Sequence, residues 1–140
     1  ETCERMAAEF RKLKPRAIIV HSLMETHYDH MMSAAAALKA AQLAGLKPEI
    51  YFQEQDTQSR AFQARYFVDV TALTERRREI ISLWACQNGP QIAERKIATS
   101  KVNAMRIWGN IGRYAEVFGA FPGTVPTGRG IFDTMPGVGV

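Results

Sequence analysis

The chain has 140 residues, 46% hydrophobic and 23% charged, a balance that excludes a disordered polypeptide and supports a real core. Eighteen Lys and Arg against fourteen Asp and Glu leave a net charge of +4. The basic residues are scattered over 11–16, 76–78, 95–101 and position 113, which reads as solvated helix faces, so no nucleic-acid partner is expected.

In chain order, residues 2–14 form a helix by the spacing of Met6, Phe10 and Leu13, and Pro15 stops it. Residues 16–21 follow as a strand, apolar without alternation, as expected where helices cover both sheet faces. A helix followed at once by such a strand is half of an alternating α/β pattern. The uncharged stretch 17–24 is too short to span a bilayer. Residues 22–29 form the loop after the strand, where ligands bind in open α/β sheets. Asp29 is placed to cap a helix over 30–44, whose run Ala34-Ala35-Ala36-Ala37 favours helix and close packing, with Gly45 as its terminator.

After Pro48 a second strand is expected at 49–53, a polar connection at 54–64 and a third strand at 65–70. Thr71 is positioned to start a helix over 72–88, with Leu73, Ile80, Leu83 and Trp84 on its apolar face and Gly89-Pro90 at its end. Helical spacing resumes over 91–108 through Ile92, Ile97, Val102, Met105 and Trp108, and Gly109 and Gly112 break it. Residues 114–121 are expected to pack against the body. The Gly- and Pro-rich segment 122–140 reads as a loosely ordered tail. Cys3 and Cys86 are far apart and match no metal spacing, so a reduced, cytoplasmic setting is expected.

The densest group of chemically able side chains is His27-Tyr28-Asp29-His30, which holds two of the three histidines. A neutral imidazole on the first turn of a helix is a rigid zinc ligand, and a carboxylate beside it can fix a ring's tautomer. By spacing alone, two exposed histidines flanking a helix cap fit equally well. His21 reads as a packing residue at the strand's end, Arg76-Arg77-Arg78 as a solvated face, although Arg77 falls on the Leu73 and Ile80 side, and Glu116 as a structural salt bridge. The run Gln55-Asp56-Thr57-Gln58-Ser59-Arg60 is rich in groups suited to a polar substrate, as surface loops often are.

The ordered series of the strand at 17–21, His27-Tyr28-Asp29-His30, the alanine-rich helix, Pro48-Glu49-Ile50-Tyr51-Phe52, Phe67-Val68-Asp69-Val70-Thr71 and Tyr114-Ala115-Glu116-Val117-Phe118 resembles the C-terminal half of the PIG-L (LmbE-like) family of zinc-dependent de-N-acetylases. The resemblance covers about residues 5–121. It implies an α/β fold with a Rossmann-like, mostly parallel sheet flanked by helices. Residues 1–121 would be the C-terminal portion of that domain, with the N-terminal strands missing from this chain.

The resemblance further implies a zinc hydrolase that removes an acetyl or acyl group from an amine, on an N-acetyl sugar or similar small polar substrate. His30 takes the position of a zinc ligand, His27 that of the group stabilising the oxyanion or protonating the leaving amine, and Asp29 that of the carboxylate orienting His27. Tyr28 stands where the family usually has proline. Nothing here matches the family's other signature, His-Pro-Asp-Asp-Glu, which brings the remaining ligands and the base. The chain alone is therefore expected to be an incomplete fragment that binds zinc poorly and has little or no activity. A hydratase of an unsaturated dicarboxylic acid on the same fold is the alternative, and a non-catalytic α/β remnant a third reading. A homo-oligomer is compatible with the sequence.

Overall fold

A computed structural model describes residues 1–55, 58–59, 61–107 and 112–140. Its elements are α1 (Thr2–Leu13), β1 (Ala17–His21), α2 (Tyr28–Ala44), β2 (Glu49–Gln53), β3 (Tyr66–Asp69), α3 (Thr74–Ser82), α4 (Gly89–Ala104), β4 (Ala115–Ala120) and β5 (Val138–Gly139). Two compact units divide them: residues 1–65 with 118–135, and residues 66–117 with 136–140.

In the first unit α1 packs on α2 through alanines, because small side chains let two helix backbones approach. Ala7, Ala34, Ala37, Ala40 and Ala41 are all buried. Lys14 in the left-handed region closes α1 just before Pro15, and Gly45 closes α2 at φ 71°. Strand β1 pairs in parallel with β2, Ile19 opposite Tyr51 and His21 opposite Gln53. On its other side β2 pairs antiparallel with the C-terminal half of β4, Phe52 opposite Gly119. Strand β1 is an edge, and Ile19 is exposed, so the expected two-sided burial is not met.

Residues 122–140, read from composition as a loose tail, contribute Phe132 to the core of the first unit and β5 to the second. Phe132 lies 4.5 Å from Tyr51, edge to face, and 4.8 Å from Phe118. The buried Glu49 carboxylate accepts hydrogen bonds from the Tyr51 hydroxyl and the Ile131 N–H, both at 2.7 Å, and faces Arg16 at 3.5 Å.

In the second unit β3 pairs antiparallel with β5 and neighbours the N-terminal half of β4. The fold is thus a mixed α/β arrangement of five strands with flanking helices. The mostly parallel, Rossmann-like sheet expected from the resemblance is corrected: of the β1–β2, β2–β4 and β3–β5 pairings only the first is parallel. Residues 115–120 alternate poorly and carry Gly119, which hid a strand there. Where a side chain would point from Gly119, the Gln63 carbonyl stands 2.8 Å away.

The single helix expected over 72–88 is also corrected. A 3-10 turn at Thr71–Leu73 leads into α3, which ends at Ser82, and a second turn at Ala85–Gln87 follows. Leu73, Ile80, Leu83 and Trp84, expected to face the core, are exposed. The face that is covered carries Thr74 and Arg77 instead. Arg77 is tied to Glu116 at 2.5 Å and donates to the Ser100 hydroxyl at 3.1 Å, while Arg76 and Arg78 pair with Glu79 and Glu75. The helix expected over 91–108 is α4, which begins at Gly89 and ends at Ala104, short of Met105, and Trp108, Gly109, Asn110 and Ile111 lie outside the described residues.

Gly89 begins α4 where a side chain has no room. A Cβ there would collide with the Ile81 carbonyl oxygen and stand 2.8 Å from that of Ser82, both backbone atoms that cannot swing aside. Gly89→Ala is therefore expected to cost about 1–3 kcal/mol, as overpacking does, and to lower the urea midpoint. A midpoint equal to the parent's would show that the α3–α4 junction relaxes freely.

Candidate functional site

The three histidines converge in the first unit although they lie at three different places in the chain. His21 ends β1, His27 is the N-cap position of α2 in extended conformation, and His30 sits on the first turn of that helix. The His21 ring stacks on His30 with centroids 3.9 Å apart and planes 6° apart. His27 stacks with His30 at 4.6 Å and 25°. Helix α2 starts at Tyr28 rather than 30, so Asp29 is not its cap. Asp29 is exposed on the first turn, where a negative charge meets unpaired backbone N–H groups favourably. Its side chain forms no hydrogen bond or ion pair among the described residues, the predicted pairing with His27 included.

The carboxylate that does face an imidazole is one the motif reading passed over. Glu25 is 6% exposed, its side chain fully covered, and its Oε2 lies 3.6 Å from His30 Nδ1. Its Oε1 accepts a hydrogen bond of 2.5 Å from the Ser59 hydroxyl. Ser59 in turn accepts the Gln55 N–H at 2.8 Å, and Thr26 N–H donates to the Gln58 carbonyl at 2.9 Å. A single antiparallel bridge between Glu25 and Ser59 thus fastens the connection after β2 to the loop between β1 and α2. Asp56, Thr57 and Arg60 of that connection lie outside the described residues. In sequence, Glu25 follows Leu23 and Met24 in a loop, and its partner is 34 positions away, so nothing local marked it.

The side chains gathered here do not make a complete metal site among the described residues. A ring nitrogen binds a metal in the plane of its ring, and two nearly parallel planes stacked at 3.9 Å do not meet at one ion. His21 and His30 are therefore not joint ligands in this arrangement. Among the described residues no group of three or more His, Cys, Asp or Glu could hold a metal ion. No helix among them is long and apolar enough to cross a membrane.

No protein-family model matches the chain, and no curated protein matches it. Solved structures share its fold. The conserved protein TT1542 from Thermus thermophilus has a TM-score of 0.72 at 22% identity, covering 89% of this chain and 59% of its own. GalB, the 4-carboxy-2-hydroxymuconate hydratase from Pseudomonas putida, scores 0.66 at 20% identity, with 86% and 58% covered. The zinc-inhibited form of the teicoplanin deacetylase Orf2 scores 0.51 at 14% identity, with 87% and 53% covered. At these identities the likeness is one of fold. The chain spans less than two thirds of the length of each of them.

Proposed function

We propose that this chain supplies the C-terminal part of a zinc-dependent hydrolase that removes an acyl group from an amine on a small polar substrate such as an N-acetyl sugar. The observation that carries this is His30, a helix-first-turn imidazole at a strand's carboxyl end, with a buried carboxylate behind Nδ1 and a second imidazole, His27, against its ring. A fold shared with a deacetylase supports it. His30 holds the metal. Bound zinc would lower the pKa of a water to about 7 and polarise an acyl carbonyl. His27 stands beside that position without occupying it, and in its protonated form it donates a proton to the departing amine nitrogen. Asp29 keeps negative charge next to His27 at the helix start. The polar connection that Ser59 fastens lies on the same loop cluster and would meet the polar part of the substrate.

The test is to express the chain together with any residues encoded upstream of Glu1 and to measure bound zinc and acyl release from an N-acetylated amino sugar. One equivalent of zinc is expected, and His30→Ala is expected to lose it. Equal metal in both proteins would remove His30 from the ligand set. Turnover of an unsaturated dicarboxylate in place of the acetylated amine would replace the deacylase with a hydratase.

A further inference from the structure

Glu25 has a position that neither a capping role nor a surface role explains. A loop glutamate ordinarily keeps its carboxylate in water, because burying an ionised group without partners is costly. Here the carboxylate is fully covered and both its oxygens are directed: Oε1 takes the Ser59 hydroxyl proton, and Oε2 faces His30 Nδ1. Ser59 donates to Glu25 while accepting the Gln55 N–H, since a hydroxyl carries one donor and two acceptor lone pairs. The 3.6 Å separation of Oε2 and Nδ1 is an ion-pair distance, a few tenths of an ångström beyond a hydrogen bond. Nδ1 is buried and has no hydrogen-bond partner, whereas the His30 side chain as a whole keeps 24% of its surface exposed. The Nδ1 edge of the ring is thus on the covered side.

We propose that Glu25, braced by Ser59, is a positioning residue that holds His30 in the tautomer with the proton on Nδ1, presenting the lone pair of Nε2 to the outside. This rests on the zinc-ligand role of His30 proposed above, and it adds the group that makes that ligand directional. An imidazole with a carboxylate on one nitrogen has its tautomer and its ring orientation fixed by that contact, and loss of such a partner typically weakens metal binding about 10–100-fold. Because Ser59 also holds the backbone of Gln55, the same carboxylate links His30 to the polar connection after β2. A change in that connection would reach His30 through two hydrogen bonds and the Glu25–His30 contact.

The chain has only three histidines, so the tautomer can be read directly. Two-bond nitrogen–proton correlation spectra of the 15N-labelled chain, recorded above the imidazole titration range and assigned with His21→Gln and His27→Gln, report which ring nitrogen carries the proton. In the parent His30 is expected to have a protonated Nδ1 and a pyridine-type Nε2. In Glu25→Ala the proton is expected to move to Nε2, and Ser59→Ala is expected to give a mixture of the two forms. A parent His30 already protonated on Nε2 overturns the proposal whether or not either variant folds, and so does a folded Glu25→Ala chain with an unchanged tautomer. Zinc titrations of the same proteins decide the ligand role separately. A tautomer that shifts as expected, in a protein whose zinc binding is indifferent to His30→Ala, keeps the positioning role and removes the hydrolase reading.

Discussion

His27→Ala is expected to slow release of the amine by roughly 10²–10⁴-fold while bound zinc stays the same, on the proposed reading of the site. The basis is the way the two imidazoles are separated by role. His30 lies within α2, is partly covered and has a carboxylate behind it. His27 lies one position before the helix, exposed, at φ −92° and ψ 118°, so its ring leaves the backbone in a different direction. The two rings touch face to face at 4.6 Å, which puts His27 next to a ligand on His30 without requiring it to bind the metal. A proton donor lost from that position slows the step in which the amine leaves and spares the metal. Single-turnover rates with an N-acetylated amine, alongside metal analysis, check both halves. Full activity in the variant would take His27 out of the mechanism, and loss of zinc would make it a ligand.

The sequence allowed much of this first unit to be placed. Pro15, Gly45 and Pro48 bound its helices and second strand, because those residues constrain the backbone wherever they stand. The histidine pair was also visible, being close in sequence. What decided its geometry was not. Glu25 meets Ser59 across 34 residues, and His21 reaches His30 only because a strand end and a helix start are brought together. Periodicity failed for a different reason in the second unit. Leu73, Ile80, Leu83 and Trp84 make a convincing apolar stripe, yet α3 stops at Ser82 and its covered face carries Arg77, half-buried against Glu116. A guanidinium with a carboxylate and a hydroxyl to bond is covered at little cost, and no hydropathy pattern announces that partner. The sheet was misjudged because β4 alternates poorly and β5 falls in a stretch whose glycines and prolines read as a loose tail, and both run against a neighbour.

Phe132→Ala is expected to destabilise the chain by about 3–5 kcal/mol, the usual cost of removing a buried aromatic ring. Composition would place this residue in an unimportant tail, so the effect distinguishes an anchored segment from a loose one. The ring is 5% exposed and is held between Tyr51 and Phe118, on neighbouring strands of the first unit. The backbone before it is fixed as well. Ile131 N–H donates to Glu49, Gly130 N–H donates to Asp133 at 2.8 Å, and a Cβ on Gly130 would meet the Tyr51 hydroxyl and Val125 at 2.6 Å. Glu49→Ala, which removes the acceptor of the Ile131 N–H and Tyr51 hydroxyl bonds but leaves the ring, is expected to cost less, about 1–3 kcal/mol. The two losses should fall short of additive when combined, because Glu49 positions the segment that delivers the ring. Urea unfolding followed by tyrosine and tryptophan fluorescence measures all three. A Phe132→Ala midpoint within error of the parent's would mean that residues 122–135 do not rest on the first unit in solution, and that Glu49 is buried for some other reason.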